Sequence, residues 1–496
     1  MSLDVAWWLF FWTALGLCIG SFLNVVIYRI PLDGSLRSPT WSACPYCRGR
    51  IAWYDNIPIL SFLLLRGRCR HCHAPIATRY VVIEAATALV VLVLFDAFFV
   101  GQARVGLSAS MFGVGDRLSY DWPILVAHIV LFACLLSMSV IDLEHYWVDV
   151  RFTNLAVAAG FALHIIWTPK HHPEWIRPLD TTAMVAIFTL IGLGVTWMVV
   201  VCRPEVEPED PRVDRASAPD PAAFSQVAKR PRAPLKPPPR VAGWIAGILL
   251  AALVVALFLD ETGRYPLKHA PRAVIPMVLL FFLIVSESTV ARESDDAIME
   301  AIEEERHESR KMVLAELGML LPAALCGLIG WWVMRGSGDF AAHVHAAMGE
   351  GTRVSSLAFL RSWSPLMGLG TAATGYVVAG ALGWLVRIFF TLVFGKEAFG
   401  AGDIHLMAAA GCIAGWPVVV LGFFLTCGLA LLGWAMTLPF KRTRALPLGP
   451  WLSLSFLVVV VFYDRILVWP AVARTIEAAH MLFLDNSHVA TVGGFG

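Results

Sequence analysis

Long apolar runs, separated by charged or Gly/Pro-containing loops, set the rhythm of this chain. Mostly apolar stretches cover residues 5–27, 80–100, 122–141, 152–167, 181–202, 241–259, 273–285, 312–334 and 366–394, then a short stretch from 404, then 417–437 and 451–469. A membrane-spanning helix needs roughly 20 such residues, so the pattern predicts an all-α, polytopic membrane protein with about 12 spans. The stretches at 273 and 404 are short enough to be re-entrant. The first run has neither a basic lead-in nor a small-residue cleavage site, and is expected to stay as a span rather than be removed as a signal peptide.

Composition agrees with the pattern. Of 496 residues, 58% are apolar and 15% charged, against about 45–50% and 25% in soluble domains. The surplus is too large for one buried core, and it excludes disorder, a fibre or a secreted disulfide scaffold. Nineteen Trp suit the two interfaces of a bilayer, the expected surroundings. A net charge of +1 offers no field to an anionic partner, so no nucleic acid is expected.

Loop charge orients the chain. The loop at 29–79 holds eight Arg against Asp33 and Asp55, which predicts a cytoplasmic location and an outside N-terminus. Alternating from there puts two further basic loops, 203–240 and the one with Lys441, Arg442 and Arg444, on the same side. Residues 203–240 contain ten Pro among 38 residues and read as an extended linker. Residues 287–311, with nine acids and four bases, read as a solvated helix or juxtamembrane extension.

Four cysteines stand apart from the other six. Cys44 and Cys47 form CPYC, and Cys69 and Cys72 form CRHC. Each CxxC lets two thiolates converge on one ion, and two of them close a tetrahedral structural zinc site. Two disulfides or free thiols are the alternatives, and a cytoplasmic loop disfavours disulfides. Cys18, Cys134, Cys202, Cys326, Cys412 and Cys427 lie in or beside apolar runs as packing residues.

Acids inside or at the edge of spans are costly and mark candidate chemistry. Asp142 closes the third run in SVIDLEHYWVDV, and Asp403 opens an apolar stretch in GKEAFGAGDIHLMAAAGC, behind Gly400 and Gly402. Span parity returns both to one membrane face. Two neighbouring carboxyls cannot both ionise, so they share a proton, and one can take a proton from water while the other donates to a carbonyl oxygen. The glycines allow a close backbone approach before the acid. Asp96, Glu316 and Asp464 have no partner motif nearby and read as snorkelling or structural groups.

These residues resemble the type IV prepilin leader peptidases, a family of GxGD membrane aspartic proteases. The likeness rests on GSFLNVVIYRIP (20–31), on NIPILSFLLLRGRCRHCHAPIATRYVVIE (56–84), on GKEAFGAGDIHLMAAAGCIAGW (395–416) and on LPLGPWLS (446–453). It covers roughly residues 15–150 and 365–455. The resemblance implies cleavage of the basic leader of prepilins or pseudopilins at the cytoplasmic face of a bacterial inner membrane, with Asp142 and Asp403 as the catalytic pair. Many members also methylate the new N-terminus with S-adenosylmethionine, a task assigned to the cysteine-containing region. No Gly-rich cofactor loop stands out here, so methylation rests on resemblance alone.

Three departures are visible. Asp149 stands where the family has Pro, and takes no catalytic role; His405 stands at a usual Lys position. Residues 181–334 look like an insertion of four spans. An even number keeps Asp403 on the face of Asp142.

The expected division is 1–79, first span and zinc module; 80–168, spans with the first Asp; 169–365, the inserted region; and 366–496, the GxGD block and last spans. Two rivals are a catalytically idle scaffold of a pilus or secretion apparatus, and a proton-coupled transporter. Retention of both Asp disfavours the first. Acids at one face instead of mid-membrane, without a convincing repeat, disfavour the second.

Overall fold

The computed structural model describes residues 3–32, 36, 41–44, 46–100, 107, 114–145, 148–167, 181–201, 309–348, 364–395, 399–437, 447–463, 466 and 474. Among them every regular element is helical, apart from two isolated β-bridges, Ala43 with Arg50 and Arg68 with Pro75. The first run forms α1 (Leu3–Arg29), which leads into a cysteine module containing the short α2 (Leu60–Leu64). Next come α3 (Arg79–Phe95), continued by a π-turn over Asp96–Val100, then α4 (Val114–His145) and α5 (Val150–Ile166). The region expected to be an insertion contributes α6 (Thr181–Val201) and α7 (Ser309–Met348). The chain then forms α8 (Ser364–Phe394), α9 (Ala401–Ala414), α10 (Trp416–Thr437) and α11 (Gly449–Val461).

Each helix except α2 answers to one predicted apolar run. The runs at 241–259 and 273–285, the Pro-rich 203–240, residues 287–308 and the basic residues 441–444 lie outside the described residues. Five stretches are long and apolar enough to cross a bilayer: Val5–Arg29, Arg79–Val100, Val114–Glu144, Arg310–Val333 and Pro365–Phe394. Five others are apolar but only 10–17 residues long. At 1.5 Å per residue, the 14 residues of α9 reach about 21 Å, short of a hydrocarbon core of about 30 Å. The short run at 404 is therefore a short helix, and the chain turns at Gly415 straight into α10.

A helix that is apolar on every side goes to the interior, where protein surrounds it. α3, α9 and α11 behave this way: Val81 through Leu89, Leu406 through Ala414, and Gly449 through Leu452 are buried without a break. α1 packs on α3, α11 on α4 and α10, and α9 sits among α4, α5, α8 and α10.

The inserted pair is built differently. α6 and α7 meet along small residues: a Cβ at Gly192 would lie 2.5 Å from the Ala323 Cα, and one at Gly327 would lie 2.7 Å from Thr189 Oγ1. Thr196 Oγ1 donates across the seam to the Met319 carbonyl at 2.9 Å. Lipid tails are as apolar as Leu, so close van der Waals contact and such hydrogen bonds are what hold helices together there. The remaining faces present Trp197, Met198, Leu321, Leu328 and Trp332 outward. Both helices also touch α8.

Candidate functional site

The termini of several helices converge at one end of the bundle, and both predicted carboxylates lie there. Arg79 at the start of α3 pairs with Glu144 at the end of α4. One turn before that end, Asp142 is buried on α4, with its carboxylate against Gly449, the first residue of α11. A Cβ at Gly449 would stand 2.8 Å from Asp142 Oδ2, so a side chain there would displace the carboxylate. This is the physical reason for the glycine in LPLGPWLS. Ser139 Oγ and Ser453 Oγ, 2.9 Å apart, hold α4 and α11 in the same register.

Asp403 lies in the first turn of α9, and its amide donates to the Gly400 carbonyl at 3.2 Å. It is half-buried and close enough to Asp142 for the charge of one to act on the other. Asp403 thus stands in the first turn of α9, and the Asp142 carboxylate, from the last turn of α4, faces the first residue of α11. Gly402 lets this turn approach the link between α4 and α5, since a Cβ there would be 2.5 Å from the Val148 Cβ. Two acids separated by 261 positions (403 − 142) are therefore brought to one end of the bundle through α4, α9 and α11.

Residues around the pair settle two of the departures. Asp149 caps α5: its carboxylate accepts from the Arg151 amide at 2.8 Å and from Arg151 Nε at 2.7 Å. Its role in the structure is that of a helix cap. His405, two positions after Asp403, falls on another side of α9 and is exposed.

The cysteine module joins the same end of the bundle through its flanking helices α1 and α3. Its two CxxC loops are copies offset by 25 residues (69 − 44). The Cys44 amide donates to the Gly49 carbonyl at 3.0 Å, and the Cys69 amide to the Ala74 carbonyl at 2.9 Å. Arg48 donates to the Cys44 carbonyl at 2.8 Å, and His73 to that of Cys69 at 3.0 Å. Arg48 and His73 share the same left-handed φ of 55°. The four sulfurs lie within 4.8 Å of one another.

Cys44 Sγ and Cys72 Sγ are 3.8 Å apart, too far for a disulfide and close to the tetrahedral S···S edge of about 3.8 Å that follows from a Zn–S bond of about 2.3 Å. The donor set, spacing and loop geometry fit a four-thiolate zinc ion. Amides of Cys72 and His71 aimed at Cys69 pull its thiol down to about 6, which favours the thiolate a metal needs.

Sequence reasoning passed over several polar residues at this end. Glu84, a lone acid within α3, accepts the Ile59 amide at 2.8 Å and so fastens the module to the bundle. Glu144 pairs with Arg79. Both could have been found by treating every acid in an apolar run as costly. Arg70 holds Asp55 in a two-point ion pair at 2.6 and 2.7 Å, which keeps the Asp55 carboxyl below its ordinary range. Arg387 on α8 donates to the Phe399 carbonyl at 2.7 Å and to Glu316 of α7 at 2.9 and 3.1 Å. No motif predicted that last contact.

Comparison with known proteins bears on the same segments. The family model "Bacterial Peptidase A24 N-terminal domain" matches residues 14–98. The chain is 42% identical over 149 residues to "Prepilin leader peptidase/N-methyltransferase" of Myxococcus xanthus, covering 30% of this chain and 38% of that protein. It is 37% identical over 199 residues to "Type 4 prepilin-like proteins leader peptide-processing enzyme" of Escherichia coli, covering 36% and 64%. With "Prepilin leader peptidase/N-methyltransferase" of Vibrio cholerae the identity is 43% over 84 residues, 16% of this chain and 33% of that protein. The chain thus spans less than two thirds of each of these relatives. No solved structure matches it. The resemblance to the type IV prepilin peptidase family is shown by these matches.

Proposed function

We propose that this protein is a membrane aspartic endopeptidase that removes the leader peptide of prepilin-like or pseudopilin substrates. The observation that carries the reading is the convergence of Asp142 and Asp403, remote in sequence, on one end of a helical bundle. The names of the matched relatives point to the same reaction. Placement at one end also fits a transporter poorly, because proton-coupling acids sit near the middle of spans.

In this reading one aspartate is ionised and the other protonated. The ionised one takes a proton from a water held between them while that water's oxygen bonds to the scissile carbonyl carbon. The protonated one gives its proton to the carbonyl oxygen, so charge and protons balance in a neutral tetrahedral diol. Collapse breaks the C–N bond: the leaving nitrogen receives the proton first taken from water, and one diol hydroxyl returns its proton to the other aspartate as the product carboxyl forms. Gly402 and Gly449 let the backbone come close enough to set both carboxyls. The substrate's basic leader stays in the cytoplasm and its apolar helix lies beside the spans.

The finer organisation belongs to the same proposal. The chain crosses the inner membrane about 12 times, each crossing needing roughly 20 residues, with the cysteine module, the carboxylate end and the 203–240 segment in the cytoplasm. The units are 1–79, 80–168, 169–365 and 366–496. Cys44, Cys47, Cys69 and Cys72 hold one structural zinc with no open coordination position, so the metal supplies rigidity and no chemistry. N-methylation of the product with S-adenosylmethionine is the second activity proposed.

The test is cleavage of a co-expressed prepilin-type substrate in membranes. The wild type should process it, and Asp142→Asn and Asp403→Asn should each lose at least about 10³-fold in rate, since an amide neither accepts nor donates the proton. Wild-type turnover in either variant overturns the reading.

A further inference from the structure

Among the described residues, α7 reaches the loop before α9, and the contact has a direction. Arg387 lies on α8, two turns before its end, with only 5% of its side chain exposed. Two of its nitrogens, Nε and Nη2, hold the carboxylate of Glu316, which belongs to α7 of the inserted pair. Its Nη1 donates to the main-chain carbonyl of Phe399. Phe399 is the residue before Gly400, whose peptide caps α9 and whose carbonyl accepts from the Asp403 amide. A second residue of α7 lies by the same loop: a Cβ at Gly395, where φ is +67°, would sit 3.2 Å from the Arg310 guanidinium.

The chemistry explains why a carboxylate is needed at 316. A planar guanidinium can hold a carboxylate on one edge and a carbonyl on the other, which a point-like ammonium cannot. Removing the carboxylate would take away the group that fixes the Nε and Nη2 edge of a nearly buried guanidinium, which then shifts toward water or its other contacts. Either movement releases the Phe399 carbonyl. The peptide that starts α9 is then free to turn, and Asp403 sits in the first turn after it.

We propose that Glu316 is a positioning residue for Asp403, acting through Arg387 and the Phe399 carbonyl, so that the inserted α7 braces the catalytic loop. This rests on the aspartic peptidase reading of the previous section. It assigns the insertion a task, holding the second carboxylate in line, that the helices resembling the family do not perform alone in this chain.

The experiment has two readouts on the full-length protein. The first is hydrogen exchange by mass spectrometry of peptides covering 395–404, with peptides of the cysteine module as internal reference. Glu316→Gln should speed exchange in 395–404 by about tenfold or more and leave the module unchanged. The second is cleavage kinetics on a prepilin-type substrate. Glu316→Gln should lower kcat on the order of 10²-fold, the scale set by about 1 Å of misplacement, with KM within about twofold.

The exchanged pair, Glu316→Arg with Arg387→Glu, separates a brace from an ordinary ion pair. It can restore the salt bridge and the fold, but a glutamate at 387 cannot donate to a carbonyl. It should therefore recover thermal stability and stay slow. Full rescue of kcat by the exchange, or unchanged exchange at 395–404 in Glu316→Gln, overturns the proposal. If the wild type cleaves no such substrate, the peptidase reading fails, and hydrogen exchange alone still decides whether the brace exists.

Discussion

The helices that carry the carboxylates and the helices of the insertion have similar apolar sequences and opposite surroundings. In their most apolar stretches, 78% of the α4 span, which carries Asp142, is buried within the protein, against 17% of the α7 span. Hydropathy therefore reports that a segment lives in the membrane and says little about its place in the bundle. Residue size makes the difference visible. Buried α9 runs MAAAGCIA, with small side chains that admit neighbours on every side, while α7 places Leu321, Leu325, Leu328 and Trp332 on exposed faces. The buried set holds geometry; among the described residues, α6 and α7 hold each other along an extended close-packed seam and meet the rest through α8.

The sharpest way to break this contrast is to put a side chain where the buried set has none. Gly449→Ala should cost on the order of 10²-fold in cleavage rate, because its Cβ would push the Asp142 carboxylate out of line. Gly428→Ala on α10, where a Cβ meets nothing within 4 Å, should leave the rate unchanged. Equal effects from the two would mean that close approach at Asp142 is not what matters.

Metal removal asks how far the cysteine module depends on its ion. Purified protein should carry about one zinc, and Cys44→Ser with Cys69→Ser should carry none, because a four-thiolate site closes only with all its ligands. Mass spectrometry of the intact native protein reads this directly. A full zinc complement in the double variant would place the ion elsewhere.

Truncation in the two regions should differ in stability. Phe456 on α11 is fully buried, and Phe456→Ala should cost about 3–5 kcal/mol through the cavity it leaves. Leu328 on α7 is 61% exposed, and Leu328→Ala should cost under about 1 kcal/mol since lipid or detergent replaces the lost atoms. Thermal unfolding of the two variants in one detergent compares them. Similar losses would show that α7 is buried by something it contacts in the membrane.

The smallest effect concerns pH. The Cys69 thiol is pulled down to about 6 while the neighbouring Cys72 thiol is pushed above its ordinary value, so zinc binding has to displace protons from the module even at neutral pH. Zinc retention should thus fall continuously as pH is lowered from neutral, as followed by dialysis with a weak chelator. Asp55 behaves in parallel: its carboxyl is depressed by Arg70, so its contribution is present above the ordinary carboxylate range and fades as pH falls through its lowered value. Asp55→Asn should flatten that acid limb slightly.

Much of this could be read along the chain. Apolar runs marked α1 and α3 to α11 because length and hydropathy are local properties. The cysteine loops were legible because the CxxC spacing itself sets the turn, and their 25-residue repeat appears once the sulfurs are drawn together (69 − 44). Asp142 and Asp403 stood out because an acid at the edge of an apolar helix is expensive. Asp149 could be set aside from catalysis, though its task as the cap of α5 needed coordinates. Glu316 was read as structural, which is true of its ion pair and incomplete as to its reach.

By itself, then, the sequence determined the solvent in which this chain folds, the helices it makes, the four-thiolate cluster and the two acids worth watching. Those follow from periodicity, spacing and the cost of burying charge, all of which act over a few residues. Tertiary structure alone decided which helix is surrounded by protein and which turns apolar faces outward, why Gly402 and Gly449 have no side chain, and that Glu316 reaches the loop before α9 through Arg387. Contacts between positions tens to hundreds of residues apart depend on how helices pack, and no local pattern records the partner.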